Sequence, residues 1–169
     1  MTTPRPPLNV LFLCTHNSAR SILAEALLNA MGNGRFRAYS AGSSPRPHQQ
    51  PHPLGLQVLQ KAGIPTDGLR SKSWDEFATA DAPAMDLIVT VCDSAAGEVC
   101  PIWPGHPATA HWGYADPSAG DGSDEAQLEA FRVTLLALKR RLELLINLPE
   151  EKLEKAALQA TARALAAHA

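Results

Sequence analysis

The chain has 169 residues with 15 Lys and Arg against 17 Asp and Glu, a net charge of −2. That balance excludes a basic field for nucleic acid or for an anionic membrane surface, and the 45% hydrophobic content suffices for the core of one domain without a metal or disulfide framework. No apolar run approaches the roughly 18–20 residues that span a bilayer, and the first apolar stretch is too short for a secretion signal, so the expected compartment is cytoplasmic, with the three cysteines as thiols.

In chain order, Leu8 to Leu13 (LNVLFL) is an apolar run too short for a helix and set before a polar turn, which predicts a buried parallel strand. CTHNSAR follows. Ser21 to Met31 then repeats apolar residues at helical spacing (Leu23, Ala26, Leu27, Ala30, Met31) and is closed by Gly32 and Gly34. Arg35 to Ser40 is a second strand, and Ala41 to Pro53, rich in Pro, Ser, Gly and His, is loop. Leu54 to Ala62 is a helix closed by Gly63, and Asp75 to Ala80 is one further helical turn. Asp86 to Cys92 (DLIVTVC) is the clearest β-branched strand, Pro101 to Pro107 is irregular, and Ala108 to Trp112 is a last short strand. Ser123 to Asn147 is a long amphipathic helix with Leu128, Phe131, Leu135, Leu138, Leu142 and Leu145 as its stripe.

Strands alternating with helices predict an α/β fold, a three-layer α/β/α sandwich around a four-stranded parallel sheet. The domain is read as residues 1–149, and 150–169 as an Ala-rich, helix-prone C-terminal tail. Ligands of such sheets bind beyond the carboxyl ends of the strands. Cys14, Cys92 and Asp116 each follow a predicted strand, so one cleft can hold all three.

The segment Cys14-Thr15-His16-Asn17-Ser18-Ala19-Arg20-Ser21 sets a Cys and an Arg six positions apart between a strand and a helix. A loop this tight can turn its backbone N–H groups inward around an anion, and the following helix adds its positive N-terminal end. Arg20 can grip two oxygens of a tetrahedral anion. Cys14 sits beneath, where the same donors favour its thiolate and align it for in-line attack. Asn17 suits a left-handed turn position, and the Ser21 hydroxyl can donate to the Cys14 sulfur. The plainer alternative is a buried, inert Cys14 and a surface Arg20. Asp116-Pro117 lies in the Gly- and Ser-rich run DPSAGDGSD, where Asp116 is either a general acid or the residue that shapes the turn. His48, His52, His106 and His111 lack metal-ligand spacing, and with no Cys-x-x-Cys neither a metal nor a cofactor is expected. They read as loop and surface residues, and Trp103 and Trp112 as covers over the core.

The segment VLFLCTHNSARSILAEALLN resembles the low-molecular-weight protein tyrosine phosphatase superfamily, and still more the arsenate reductases built on that fold and coupled to thioredoxin or glutaredoxin. The resemblance continues through YSAG (Tyr39 to Gly42), TVCDSAAGEVCPIWPG (Thr90 to Gly105) and HWGYADPS (His111 to Ser118), up to about Pro149. It implies an enzyme that reduces arsenate to arsenite. Thr15, His16, Asn17, Ser18, Ala19, Arg20 and Ser21 would hold the oxyanion, Cys14 would attack it, and Asp116 would be the acid. Cys92 would then resolve the Cys14 adduct and Cys100 would carry the disulfide onward. It also implies thioredoxin, or glutaredoxin with glutathione, as reductant; a monomer is the default.

Some positions depart from the resemblance. His16 stands where such loops carry Gly or Ala, and should point outward and alter the mouth of the pocket. Ala19 stands where many relatives have a second loop Cys, which leaves Cys92 as the resolving thiol. Ser118 and Ala119 stand where the phosphatases place aromatics for a phosphotyrosine ring. The alternative function, a low-molecular-weight phosphomonoester (tyrosine) phosphatase, needs neither Cys92 nor Cys100. Some relatives bind a monovalent cation behind the loop, and Asn17, Glu25, Ser40 and Asp75 are the candidate oxygen donors here.

Overall fold

Strand β1 (Leu8–Cys14) is the spine of the sheet, because every residue in it except Asn9 is buried. A strand apolar on both faces suits the interior of a parallel sheet. It pairs in parallel with β2 (Phe36–Gly42) on one side and β3 (Leu87–Thr90) on the other. Strand β4 (Ala108–His111) adds in parallel to β3, which gives the order β2-β1-β3-β4. The computed structural model describes residues 7–32, 34–92, 108–119 and 122–149. Pro101 to Pro107, Cys100, His106 and the 150–169 tail therefore lie outside the described residues.

Alternate residues of β1 face opposite sides of the sheet. Val10 and Phe12 join the larger core with helices α1 (Arg20–Met31), α2 (Pro53–Lys61) and α3 (Asp124–Ile146). Leu11 and Leu13 join a smaller cluster with Ala41 and Ile88, covered by Tyr39, Trp74, Phe77 and Met85. The layer on that second face, among the described residues, is a single 3-10 turn at Trp74–Phe77 and its flanks. Trp112, Phe12 and Phe131 are the largest wholly buried side chains, and each buried Leu or Phe of this core contributes about 1.5–3 kcal/mol relative to exposure.

The predicted stripe of α3 is the buried one: Phe131, Leu135, Leu138, Leu142 and Leu145 line the core, with Leu128 at its margin. On α1 the burial is wider than predicted, taking in Ile22, Ala24 and Leu28, whereas Ala30 is exposed. Most boundaries shift by a residue, and those of β2, β3 and the 3-10 turn have a visible cause. Strand β2 runs on to Gly42 because Ala41 and Gly42 pair with Leu13 and Cys14. Strand β3 is shorter than Asp86 to Cys92, although Asp86 N–H still bonds Asn9 and Val91 N–H still bonds Leu13. The 3-10 turn starts at Trp74 because Ser73 caps it, accepting the Asp75 N–H. Strand β4 ends one residue short of the predicted Trp112, at the exposed His111, which shares a 2.6 Å hydrogen bond with Thr90. No helix among the described residues is long and apolar enough to cross a membrane.

Candidate active site

Strand β1 delivers Cys14 to the carboxyl edge of the sheet, and the chain must reverse at once to enter α1 at Arg20. Asn17 makes the reversal by taking a left-handed backbone, φ 57°, which Asn tolerates better than most residues. The loop is then braced from the segment between β2 and α2. Ser43 N–H bonds the Cys14 carbonyl at 3.1 Å, Ser44 N–H bonds Thr15 at 2.9 Å, and His52 N–H bonds Ser18 at 2.8 Å. Gly42 lets the loop pass this close, since a Cβ there would lie 2.6 Å from the Thr15 carbonyl oxygen.

Cys14 is a free, buried thiol. Its sulfur receives the Asn17 backbone N–H at 3.1 Å and lies 2.8 Å from the Ser21 hydroxyl. Asn17 Nδ2 donates to that same hydroxyl oxygen at 2.7 Å, which leaves the Ser21 proton available to a Cys14 thiolate. Helix α1 begins at Ala19 with no side-chain cap and no acidic residue in its first turn. By contrast, His52 caps α2 and Ser123 caps α3, the latter with Asp124 and Glu125 in the first turn. The positive N-terminal end of α1 thus lies near Cys14 with no carboxylate in its first turn to offset it.

Arg20 is nearly buried; it donates to the Tyr114 carbonyl at 2.9 Å and lies 3.9 Å from Asp116. Asp116 shapes the turn, with Oδ1 accepting from Ser118 N–H and Oγ, while Oδ2 faces Arg20. His16, Ser18, Asp116, Ser118 and Ala119 line one polar cleft with Arg46, Gln49, Gln50 and His52. Thr15 and His16 are both half-buried, and Ala19 is buried at the helix start.

Cys92 follows β3, the strand beside β1. Leu13 pairs with Thr90, and Val91 N–H bonds the Leu13 carbonyl, so Cys92 lies at the same carboxyl edge of the sheet as Cys14. Cys92 is fully buried and held in a disulfide. Trp112 is fully buried, and Arg141 lies over both its ring and that of Tyr114, at 5.9 and 4.8 Å. Burial pushes the Tyr114 hydroxyl's pKa above its ordinary value, and the Arg141 charge opposes this. Groups of three or more His, Cys, Asp and Glu that could hold a metal are absent among the described residues.

The proposed oxygen set for a monovalent cation does not fit one. Glu25 already accepts from the Ser40 hydroxyl and pairs with the Lys72 ammonium at 3.6 Å. Asn17 Oδ1 accepts the Lys72 backbone N–H at 3.0 Å, and Asp75 is exposed on the 3-10 turn. Burial pushes the Lys72 pKa below its ordinary value, and the Glu25 charge opposes this. Lys72, Arg141 and Gly42 are the residues of this region to which the sequence assigned no role. Only Gly42 carried a signal, as the end of YSAG.

The low molecular weight phosphotyrosine protein phosphatase family matches residues 9–159. An arsenate reductase of Halalkalibacterium halodurans is 33% identical over 123 residues, 73% of this chain and 84% of that protein. The crystal structure of an arsenate reductase from Archaeoglobus fulgidus is 29% identical with a TM-score of 0.66, covering 82% of this chain and 99% of that one. A thioredoxin-dependent arsenate reductase of Corynebacterium glutamicum is 28% identical with a TM-score of 0.54, covering 85% of this chain and 65% of that one. A cysteine under two donors at a bare helix start, on this sheet and with these relatives, leads to one assignment: the chain belongs to the low molecular weight phosphotyrosine protein phosphatase family, among relatives named arsenate reductases.

Proposed function

We propose that this protein reduces arsenate to arsenite through Cys14, Cys92 and Cys100. The Cys14 thiolate attacks arsenic in the loop of residues 15–21, and Asp116 protonates the oxygen that leaves as water. A sulfur–arsenic(V) bond results. The Cys92 thiolate then attacks the Cys14 sulfur, the sulfur–arsenic bond breaks, and its electron pair stays on arsenic, which departs as arsenite. The two thiolates have supplied both electrons and are left as a Cys14–Cys92 disulfide. Cys100 attacks Cys92, frees Cys14, and passes the disulfide to thioredoxin or to glutaredoxin with glutathione. Such a cycle suits a monomer in a reducing cytoplasm and an arsenic-detoxifying role.

The observation that carries this reading is the placement of Cys14 at the end of β1 and of Cys92 just past the end of the neighbouring β3, with Cys14 free and Cys92 in a disulfide. A phosphatase has no use for the second thiol. The cleft also favours a small polar anion, since its described walls are His, Ser, Arg, Gln, Pro, Asp and Ala, with no aromatic pair to sandwich a phenol ring.

The test is single-turnover arsenite release from arsenate by reduced protein without external reductant. Wild type should release about one arsenite per chain, and Cys14→Ser and Cys92→Ser none. Cys100→Ser should complete that turnover yet fail to cycle with reductant. No arsenite, together with equal phosphoester hydrolysis by wild type and Cys92→Ser, would leave the phosphatase as the function.

A further inference from the structure

We propose that Lys72 is a positioning residue for Cys14: its ammonium is the fixed cation behind the nucleophile's loop, and its backbone N–H begins the donor chain that ends on the Cys14 sulfur. This rests on Cys14 being the nucleophile, but not on arsenate being its substrate.

The donor chain has one direction. Lys72 N–H donates to Asn17 Oδ1 at 3.0 Å, Asn17 Nδ2 donates to Ser21 Oγ at 2.7 Å, and Ser21 stands 2.8 Å from the sulfur. Each donor points its positive end towards Cys14, and aligned hydrogen bonds polarise one another. The Lys72 carbonyl accepts Gly42 N–H at 2.9 Å, and Ser73 bridges to Gly42, so the segment is held as an added edge beside β2.

The side chain returns from that edge into the protein. Its ammonium donates to the Arg70 carbonyl at 2.8 Å and faces Glu25, whose carboxylate also holds Ser40. The side chains of Lys72 and Glu25 are 8% and 13% exposed, so water screens the pair little. Lys72 thus reaches α1 through its ammonium on Glu25 and the loop through its backbone N–H on Asn17, while Glu25 holds Ser40 of β2. Arg70 and Glu76, the other charges near it, are paired with each other at the surface. A mobile monovalent cation is unnecessary where a covalently tethered one already stands.

The experiment measures the second-order rate of Cys14 alkylation by iodoacetamide in a Cys92→Ser/Cys100→Ser background, in potassium chloride and in tetramethylammonium chloride. Unmodified Lys72 should give the same rate in both salts. Lys72→Ala should be slower by about tenfold or more in tetramethylammonium, the effect of weakening a hydrogen bond to a charged group. Potassium should restore it, because removal of the ammonium leaves the buried Glu25 carboxylate, beside Ser40, open to a small cation. Lys72→Arg should hold most of the rate. The double variant Lys72→Met/Glu25→Gln leaves no buried charge unpaired, so it should fold, react slowly, and ignore potassium. A wild-type rate in that folded double variant, or potassium-stimulated alkylation with Lys72 intact, would overturn the proposal. If these rates behave as expected while arsenite release fails, the substrate is wrong and the positioning role stands.

Discussion

Ser21 sits between the structural network and the reacting atom. It accepts from Asn17, which leaves its own proton for the Cys14 sulfur. Ser21→Ala should therefore slow alkylation of Cys14 about tenfold, with about 1–3 kcal/mol of stability lost because buried Asn17 Nδ2 loses its acceptor. Stopped alkylation assays and urea unfolding read the two effects separately; an unchanged alkylation rate would show that the 2.8 Å contact does nothing for the thiol. At this scale the sequence was most informative where chain neighbours act together. Cys14, Asn17, Arg20 and Ser21 lie within eight residues, and their spacing alone suggests an anion loop. Lys72 was invisible for the opposite reason. It meets Asn17 across 55 residues, through an edge pairing that no periodicity announces.

The loop is also a product of the element beside it. Strand β2 outruns its predicted end at Ser40, and the extra residues Ala41 and Gly42 carry the bracing that Ser43 and Ser44 continue. The Pro- and Ser-rich composition after Tyr39 concealed this, because parallel pairing with Leu13 and Cys14 outweighs a weak local preference. Gly42→Ala is the test. The added Cβ would meet the Thr15 oxygen at 2.6 Å, the His16 carbonyl carbon at 2.9 Å and the Asn17 nitrogen at 3.0 Å, all backbone atoms that cannot swing aside. Overpacking of this kind costs about 1–3 kcal/mol of stability. The loss in turnover should be larger, since a shift of about 1 Å in a reacting group can cost about a hundredfold in rate. Arsenite turnover and a urea midpoint on the same preparation decide it, and turnover within twofold of wild type would mean that the loop does not depend on this close approach. The second face of the sheet was equally hard to foresee, because Tyr39, Trp74, Phe77 and Met85 cover it from segments with no shared period.

Across the whole molecule, a net charge of −2 does nothing to draw in an oxyanion. Attraction must come from the uncapped start of α1, the N–H groups of the Cys14 loop and Arg20. This has a thermodynamic consequence that needs no catalysis. An anion that binds only the folded chain stabilises it by RT ln(1 + [L]/Kd), about 2.7 kcal/mol at a hundredfold excess over Kd. For a domain of this size that raises the thermal midpoint by about 5–10 °C. Inorganic phosphate, a tetrahedral mimic of arsenate, should produce such a rise in the reduced protein, and sodium chloride at equal ionic strength should not. Arg20→Met should start from a lower midpoint, because the Tyr114 carbonyl and Asp116 lose a partner. Its midpoint should also climb far less with phosphate, and that dependence, unlike the starting value, reports the anion site alone. An equal climb in wild type and Arg20→Met would place phosphate elsewhere on the surface and remove Arg20 from the oxyanion grip.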